Sequence, residues 1–219
     1  AYQEIGDYPK ELIRLEQALT LCAVGYEKTR KAEYGALVTP AGMPAINMMV
    51  DSVLQTRTLS PGQAMAIVIE PPYACTGNLF ENWVRRGLDV RSLNVDKVKT
   101  ALPALMDEFG ERVVFIYFES ITNPNLRLVD IEHILRINKG RAAILVDDTF
   151  ATSEMIQSLL IEVDAEGGDR SYSVDMTMLG LTKGMSGTGD IIAGSVVAKK
   201  EWLPRLAENR GSLPESKEV

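Results

Sequence analysis

The sequence predicts an α/β fold in which a mainly parallel β-sheet is flanked by helices. Three short apolar runs are typical of strands buried on both faces: residues 64–69 (AMAIVI), 113–118 (VVFIYF) and 143–146 (AILV). Segments with the three- and four-residue spacing of amphipathic helices alternate with these runs, and that order favours βαβ units. The 219 residues are enough for one large domain with its own buried core.

Helices and strands are predicted along most of the chain. The helices are expected at residues 12–22, 42–54, 78–86, 95–109, 131–138 and 153–161, the second with Pro44 in its first turn and the fourth interrupted by Pro103. The strands are expected at residues 64–69, 88–93, 113–118, 143–146, 174–179 and 191–198, and loops at 25–35, 71–77, 121–126, 166–172 and 182–190. We expect an N-terminal helical segment (1–40), an α/β domain (41–200) and the start of a connection to a C-terminal domain absent from this sequence (201–219).

The charge balance and the cysteine content exclude several classes of protein. Asp and Glu outnumber Lys and Arg by 30 to 23, which gives a formal net charge of −7. An acidic chain without a basic run is a poor nucleic-acid binder, because binding to phosphates needs clustered cations. We expect no membrane span and no secretory signal, since no apolar stretch approaches ~20 residues. Cys22 and Cys75 make no disulfide framework, so we expect a cytoplasmic location.

The single histidine, His133, is a weak candidate for catalysis. It lies in the segment 130–135 (DIEHIL), which has the pattern of a helix rather than of a catalytic loop. A hydrolase of the Ser-His-Asp or Cys-His type would depend on this one residue. With one histidine and two cysteines, we expect no metal site either.

Polar residues follow the predicted strands, and ligands of open α/β sheets bind at the carboxyl ends of strands. These residues are Tyr73, Glu119, Asn123, Asp147, Thr149, Thr182 and Lys183. The helix that starts at Gly42 adds free backbone N–H groups, which suit a phosphate. A buried Asp can pair with a pyridinium N–H, a Lys in apolar surroundings becomes a Schiff-base nucleophile, and an aromatic ring stacks on a heterocycle. Together these groups match pyridoxal 5′-phosphate (PLP), although each residue alone is more often structural.

Four segments resemble one known family. Residues 182–194 (TKGMSGTGDIIAG) resemble the cofactor-lysine segment of the Cys/Met-metabolism PLP enzymes, which include cystathionine γ-lyase, cystathionine β-lyase, cystathionine γ-synthase and methionine γ-lyase. Residues 41–46 (AGMPAI), 118–126 (FESITNPNL) and 146–152 (VDDTFAT) match further segments in the family's order. The resemblance runs from about Leu15 to Lys200 and implies the large domain of an aminotransferase-like (fold type I) enzyme, without its C-terminal small domain.

The resemblance also implies a role for each site residue. Lys183 would form the Schiff base with the cofactor, and Asp147 would pair with its pyridine nitrogen. Tyr73 would stack on the ring and assist proton transfer. The backbone N–H groups of Gly42 and Met43 would bind the phosphate, with Thr182 beside them. Asn123 would lie near the ring oxygen and the substrate, with Glu119 and Thr149 as supports.

The activity implied is that of a PLP-dependent carbon–sulfur lyase acting on a cysteine- or homocysteine-derived amino acid, as part of a larger enzyme. The reaction would be a β- or γ-elimination that releases a thiol or a persulfide. A γ-replacement enzyme of the cystathionine γ-synthase type and a non-catalytic PLP-fold module remain alternatives. The resemblance further implies a homodimer or homotetramer, and a small sulfur amino acid as substrate.

The chain departs from the family pattern at several positions. Gly180 stands where the family has a serine whose hydroxyl reaches the phosphate, and residues 187–190 read Gly-Thr-Gly-Asp instead of Gly-His-Gly-Asp. Tyr73 is followed by Ala-Cys-Thr instead of Gly-Gly-Thr. The N-terminal Tyr-x-Arg has no counterpart, since Tyr2 and Tyr8 are poor candidates. We therefore expect these 219 residues alone to bind PLP weakly and to show no turnover.

Overall fold

A seven-stranded sheet contains all the predicted apolar runs. The computed structural model describes residues 10–25, 32–55, 62–168 and 170–211. The sheet strands are β1 (Tyr34–Thr39), β2 (Met65–Glu70), β3 (Asp89–Asn94), β4 (Val113–Glu119), β5 (Ala143–Asp147), β8 (Met176–Gly180) and β9 (Gly194–Lys199), in the order β1-β9-β8-β5-β4-β2-β3. Strand β9 runs antiparallel to β1 and β8, and the other four strand pairs are parallel, so the sheet is mainly parallel, as predicted. The remaining strands, β6 (Glu162–Asp164) and β7 (Ser171–Ser173), form a separate antiparallel pair.

Helices cover both faces of this sheet. They are α1 (Lys10–Val24), α2 (Gly42–Leu54), α3 (Ala74–Arg85), α4 (Val98–Phe109), α5 (Ile131–Asn138), α6 (Thr152–Met155) and α7 (Leu203–Gly211). Apolar residues of α1, α4 and α5 pack on one face, and those of α2, α3 and α7 pack on the other. None of the helices in the described ranges is long and apolar enough to cross a membrane.

Successive side chains along each central strand point to opposite faces of the sheet and pack in different cores. In β4, Phe118 packs in the core with α4 and α5, whereas Phe115 and Tyr117 pack in the core with α2 and α3. In β5, Val146 and Leu145 are divided in the same way. Both faces are therefore buried, which is why these strands are continuous apolar runs rather than alternating ones.

The structure corrects four of the predicted elements. Helix α3 begins at Ala74, not at 78, and Pro103 lies inside a continuous α4 instead of interrupting it. Leu102 and Met106 are fully buried beside Pro103, so their packing offsets the lost hydrogen bond. Residues 153–161 do not form one helix but α6 and a 3-10 turn, Ser158–Leu160. The last strand begins at Gly194, not at 191.

Two further segments pack with the sheet. The expected loop 25–35 extends into β1, whose residues pair with β9, and residues 26–31 lie outside the described ranges. Helix α7 packs on α2, where Asn209 Nδ2 donates to Ser52 Oγ at 2.8 Å. Glu16 accepts from Val38 N at 2.9 Å and pairs with Arg210 of α7 at 2.9 Å. The domain limits at residues 40 and 200 stay predictions.

Candidate functional site

The polar residues singled out in the sequence lie at one edge of the sheet. Glu119 and Asp147 end β4 and β5, and they are directly paired in the register of these parallel strands. Gly180 ends β8, three residues before Lys183, and α2 begins at Gly42 soon after the end of β1. The parallel strands therefore bring the four resembling segments to the same edge, where α/β proteins bind ligands.

Asp147 is a buried carboxylate that accepts hydrogen bonds from Thr149 and Tyr117. The backbone N–H of Thr149 donates to its Oδ1 at 2.8 Å, the Thr149 hydroxyl also bonds to it, and the hydroxyl of Tyr117 lies 3.4 Å from its Oδ2. Burial raises the pKa of Asp147 above its usual value, and these donors oppose that rise by favouring the ionised form. A cationic N–H placed on this carboxylate would complete its pairing, which is what a pyridinium ring supplies.

Tyr117 is a member of the site that sequence reasoning did not select. It was assigned only to a strand, and its side chain is fully buried. Its ring packs edge-on against Phe80 with centroids 5.2 Å apart, and its hydroxyl bonds to Thr76 as well as to Asp147. The signal available in the sequence was its place two residues before Glu119, which puts both side chains on one face of β4.

Glu119 ties two loops of the site together. Its Oε1 accepts from the backbone N–H of Tyr73, and its Oε2 accepts from the backbone N–H of Asn123 at 2.9 Å. Burial raises the pKa of Glu119 to about 7, against the effect of these two N–H groups. The Tyr73 side chain itself is 47% exposed, so its ring face is free to contact a ligand.

The N-terminus of α2 is open to an anion. Ala41 is extended and provides no side-chain cap, and the first N–H groups of a helix have no partner within it. The chain passes very close here, since a Cβ on Gly194 would lie 2.4 Å from the Ala41 carbonyl oxygen. Only glycine permits this approach of β9 to the helix start. The N–H groups of Gly42 and Met43 thus suit a phosphate.

Thr149 fills the space beside Gly180. Its Oγ1 accepts from the backbone N–H of Gly180 at 2.7 Å. A Cβ on Gly180 would lie 3.0 Å from Thr149 Cγ2 and 3.1 Å from Thr149 Oγ1. The serine that the family has at this position would therefore press on Thr149. The nearby Thr182 accepts from Ala193 N at 3.3 Å, so its hydroxyl proton stays available to a ligand.

Lys183 lies in the glycine-rich turn that follows β8. Its backbone N–H donates to Gly180 O at 3.1 Å, and its carbonyl accepts from Gly187 N at 3.4 Å. The side chain is exposed. The amine is accordingly accessible to an aldehyde.

Asp148 places a second carboxylate next to Asp147 in sequence. Its Oδ1 accepts from Ser158 Oγ at 2.7 Å, and Ser120 also bonds to it. Burial raises its pKa to about 7, and the neighbouring Asp147 adds to the rise. Asp148 bonds to the turn Ser158–Leu160, whose Leu159 packs in the core with α4 and α5. Tyr117 packs in the core on the other face of the sheet, so Asp148 and Tyr117 lie on opposite faces. It stands where the resembling family segment has Asn.

These groups fit PLP. An uncapped helix start suits its phosphate, a buried carboxylate suits its pyridine nitrogen, an accessible amine suits its aldehyde, and an exposed tyrosine suits its ring. In the ranges that the structure describes, no three His, Cys, Asp or Glu side chains are grouped to hold a metal ion. His133 lies in α5, as its sequence pattern predicted, and Cys22 and Cys75 are free.

Comparison with known proteins points to the same chemistry. The sequence profile of the family described as "Cys/Met metabolism PLP-dependent enzyme" matches residues 27–216. The chain is 30% identical over 177 residues to an L-methionine gamma-lyase of Fusobacterium nucleatum subsp. polymorphum, covering 78% of this chain and 39% of that protein. It is 30% identical over 168 residues to the cystathionine gamma-synthase of Escherichia coli (strain K12), covering 75% of this chain and 38% of that protein.

A solved structure shares the fold. It is that of a putative O-acetylhomoserine (thiol)-lyase from Campylobacter jejuni, with a TM-score of 0.67 and 22% identity. The alignment covers 88% of this chain and 41% of that one, whose structure contains a pyridoxyl-lysine phosphate adduct. The chain thus spans about two fifths of the length of the curated relatives it matches.

Proposed function

Because the chain belongs to the family of Cys/Met metabolism PLP-dependent enzymes, we propose that it carries the cofactor site of a carbon–sulfur lyase. The substrate is a cysteine- or homocysteine-derived amino acid, and the products include a thiol or a persulfide. The observation that supports this most is Asp147, a carboxylate buried at the end of β5. Asp147 pairs with Met178 of β8, the strand that Lys183 follows in the chain. A carboxylate placed in this way is suited to keep a ring nitrogen protonated.

The chain offers one group for each part of the cofactor. The N–H groups of Gly42 and Met43 bind the phosphate, and the Thr182 hydroxyl adds a further donor. Asp147 holds the proton on the ring nitrogen. When bound, PLP supplies an electron sink for the charge left by removal of a proton from the substrate. Tyr73 covers the ring, and Glu119 fixes the backbone from which Tyr73 extends.

Two side chains move protons in this reaction. In a β-elimination, Lys183 Nζ would remove the proton from the substrate α-carbon, and the electron pair left there would form the Cα–Cβ double bond as the Cβ–S bond breaks with its pair going to sulfur. A γ-elimination would also require removal of a proton from the β-carbon before the Cγ–S bond breaks. The Tyr73 hydroxyl donates a proton to the departing sulfur atom. Asn123 lies at the same edge, held by Glu119, where it orients the substrate. General acid–base steps of this kind contribute about 10²–10⁴-fold each.

Replacement at the γ-carbon is the second candidate, since the cystathionine gamma-synthase of Escherichia coli is as similar to this chain as the lyase is. A replacement enzyme uses the same Lys183 and Asp147 but admits a second, thiol substrate. A non-catalytic PLP-fold module is the third, because Gly180 offers no hydroxyl to the phosphate. Both alternatives are separated from the lyase by the products formed.

Borohydride reduction of the PLP-loaded protein tests the cofactor assignment. Peptide mapping should find the reduced cofactor on Lys183, and Lys183→Ala should abolish both the adduct and the visible absorbance band. Lys97→Ala is the matched control, since Lys97 is also exposed at this edge of the sheet but follows β3. An adduct that persists in Lys183→Ala at an equivalent site would contradict the assignment.

Product analysis tests the reaction. The larger enzyme of which this chain is proposed to be a part is loaded with PLP and incubated with cystathionine, cystine or methionine, and thiol and keto acid are measured. Release of both indicates elimination, whereas a new thioether formed only with an added thiol indicates replacement. PLP binding without either product, in the presence of all three substrates, would favour the non-catalytic module.

We also propose that the protein is a cytoplasmic homodimer or homotetramer. Several large apolar side chains are exposed at the same edge as the site: Leu126, Phe150, Ile191 and Ile192. Apolar groups gathered next to a ligand site are typical of a surface covered by another protein chain. The free cysteines support a reducing compartment. Sedimentation analysis checks the assembly, and a monomer at micromolar concentration would contradict it.

A further inference from the structure

We propose that Tyr117 is a positioning residue that keeps Asp147 ionised and aimed at the ring nitrogen of the cofactor. The inference rests on the proposed function for the identity of the ligand, but the contact itself lies entirely within this chain. Tyr117 was assigned to the core strand β4 by its sequence pattern, and nothing in the resembling segments marks it as functional.

The geometry of β4 and β5 places the tyrosine hydroxyl at the carboxylate. Glu119 pairs with Asp147 and Tyr117 pairs with Leu145, so Tyr117 lies one repeat back along the same face. The ring is held edge-on by Phe80 at 5.2 Å, and the hydroxyl lies 3.4 Å from Asp147 Oδ2. Thr76 bonds to the same hydroxyl from the first turn of α3. The hydroxyl is thus fixed between α3 and the carboxylate.

The charges around Asp147 show why this donor matters. Tyr117 and Glu119 face it from β4, and Asp148 adjoins it in the chain. Among the described residues, these titratable neighbours include no cation, and all of them are acids. Burial favours a protonated Asp147, whereas hydrogen bonds from the Thr149 hydroxyl and N–H and from the Tyr117 hydroxyl favour the ionised form. Only an ionised Asp147 can hold a proton on the ring nitrogen.

The alternative is that Tyr117 only fills space in the core. Its ring does pack against Phe80 and lies in the same core as Phe115, as a phenylalanine would. A buried tyrosine hydroxyl also needs a partner wherever it lies, and Asp147 offers one at 3.4 Å. The two roles separate when the hydroxyl is removed and the ring is kept, because only a positioning role alters the pH range in which Asp147 is ionised.

The test compares Tyr117→Phe with Tyr34→Phe. Tyr34 is also buried, and its hydroxyl donates to the Leu159 carbonyl at 3.4 Å, in the opposite core. Each variant therefore loses a hydroxyl contact of 3.4 Å, and Tyr117→Phe also loses the contact with Thr76. The dissociation constant for PLP is measured for wild type and both variants between pH 5.5 and 8.5. The titration of PLP itself is common to all three proteins and cancels in the ratio of the constants.

We expect Tyr117→Phe to weaken PLP binding about tenfold at the lowest pH, because loss of the Tyr117 hydroxyl raises the pKa of Asp147 further above its usual value. The loss should shrink as the pH rises, because a higher pH favours the ionised form of Asp147 in both proteins. Tyr34→Phe should leave the ratio near one throughout. A ratio for Tyr117→Phe that does not change with pH would overturn the proposal.

A second measurement needs no cofactor. The free energy of unfolding is compared for wild type, Tyr117→Phe, Asp147→Asn and the double variant, all without PLP. If the hydroxyl acts on the carboxylate, the effect of Tyr117→Phe should shrink in the Asp147→Asn background. Additive effects would overturn the contact. If the cycle shows coupling but the wild-type protein does not bind PLP, the contact between Tyr117 and Asp147 is supported and the proposed function is contradicted.

Discussion

Asp147 and Asp148 are neighbours in the chain, yet their carboxylates lie in two different regions on opposite faces of the sheet. Asp147 faces the core with α2 and α3, where its partners are Thr149 N–H and the Tyr117 hydroxyl. Asp148 faces the core with α4 and α5, where its partners are the hydroxyls of Ser158 and Ser120. Burial raises the pKa of both carboxyls.

The two regions differ in whether the chain itself supplies all the partners of the buried carboxyl group. Asp148 bonds to a 3-10 turn of its own chain, so its surroundings are complete when it carries a proton. Asp147 ends its strand at the same edge of the sheet as an open helix start, an exposed tyrosine and an exposed lysine, so a ligand that spans these groups can complete its surroundings. Burial alone therefore does not identify a functional carboxylate. Unsatisfied groups around the carboxylate identify it, because a folded chain normally pairs its buried charges.

The largest effect should come from removing the charge of Asp147. In the PLP-loaded protein, Asp147→Asn is expected to lower turnover by at least about two orders of magnitude. The reason is that stabilising the charge formed on the ring is a transition-state effect. PLP should remain bound through the phosphate contacts and Lys183. The measurement is keto-acid release under saturating PLP.

Asp148→Asn is the matched variant, since it makes the same chemical change one residue away. We expect its turnover to stay within about threefold of wild type, because Asp148 faces away from the site. If Asp148→Asn lost turnover and Asp147→Asn kept it, the ring nitrogen would have to pair with Asp148, and the assignment of Asp147 to the site would be wrong.

The next effect concerns stability rather than turnover. The pKa of Asp148 is about 7 in the folded protein and 3.8 in its ordinary state, so the folded protein binds the proton more tightly. This contribution is fully present below pH ~4 and is lost as the pH rises through 7. Asp148→Asn, which cannot ionise, should therefore be more stable than wild type at pH 8, by about 4 kcal/mol, and nearly equal at pH 4.

Urea unfolding at the two pH values measures this difference. Asp107→Asn is a useful control, because Asp107 is exposed in α4. Its unfolding free energy should differ from that of wild type by less than about 0.5 kcal/mol at either pH. A Asp148→Asn protein that is less stable than wild type at pH 8 would show that Ser120 and Ser158 hold an ionised carboxylate.

A smaller effect is expected at Glu119. Glu119→Gln keeps one carbonyl oxygen for Tyr73 N–H or Asn123 N–H, but its amide group cannot accept the other. One of the two loops should loosen, and PLP binding should weaken about tenfold, since a hydrogen bond to a charged group contributes about 1.5–3 kcal/mol. Glu119→Asp retains both oxygens and should recover part of the loss. Equal PLP affinity in wild type and Glu119→Gln would remove Glu119 from the site.

Much of this architecture follows from local patterns in the sequence. The strands β2, β4 and β5 are apolar runs buried on both faces, and helix α5 has an Asp130 cap and a clear apolar stripe, so their positions were predicted. Strand β1 was missed because Gly35 and the polar residues before it resemble a loop. It becomes a strand only through pairing with β9, a contact that lies about 160 residues away in the chain.

The site was predictable in part for the same reason. Residues that follow strands were selected as a group, and the structure places them at one edge because parallel strands end together. Tyr117 was not selected, since its role depends on its hydroxyl reaching Asp147 on the next strand. The exposure of Lys183 was also not foreseen, because it depends on which elements cover the turn after β8. Contacts between strands decide both, and they cannot be read from the spacing within one strand.

The smallest effect concerns Gly180, on the same face as Asp147. A Cβ there would lie 3.0 Å from Thr149 Cγ2, so Gly180→Ser should not simply restore the hydroxyl of the family pattern. We expect it to lower the free energy of unfolding by about 1 kcal/mol through overpacking. Thr149→Ser removes the crowding methyl group and keeps the Oγ1 that accepts from Gly180 N–H at 2.7 Å. The double variant should therefore be more stable than the sum of the single effects, by about 0.5–1 kcal/mol. Urea unfolding of all four proteins measures this coupling, and a value of zero would mean that Thr149 does not limit the space at Gly180.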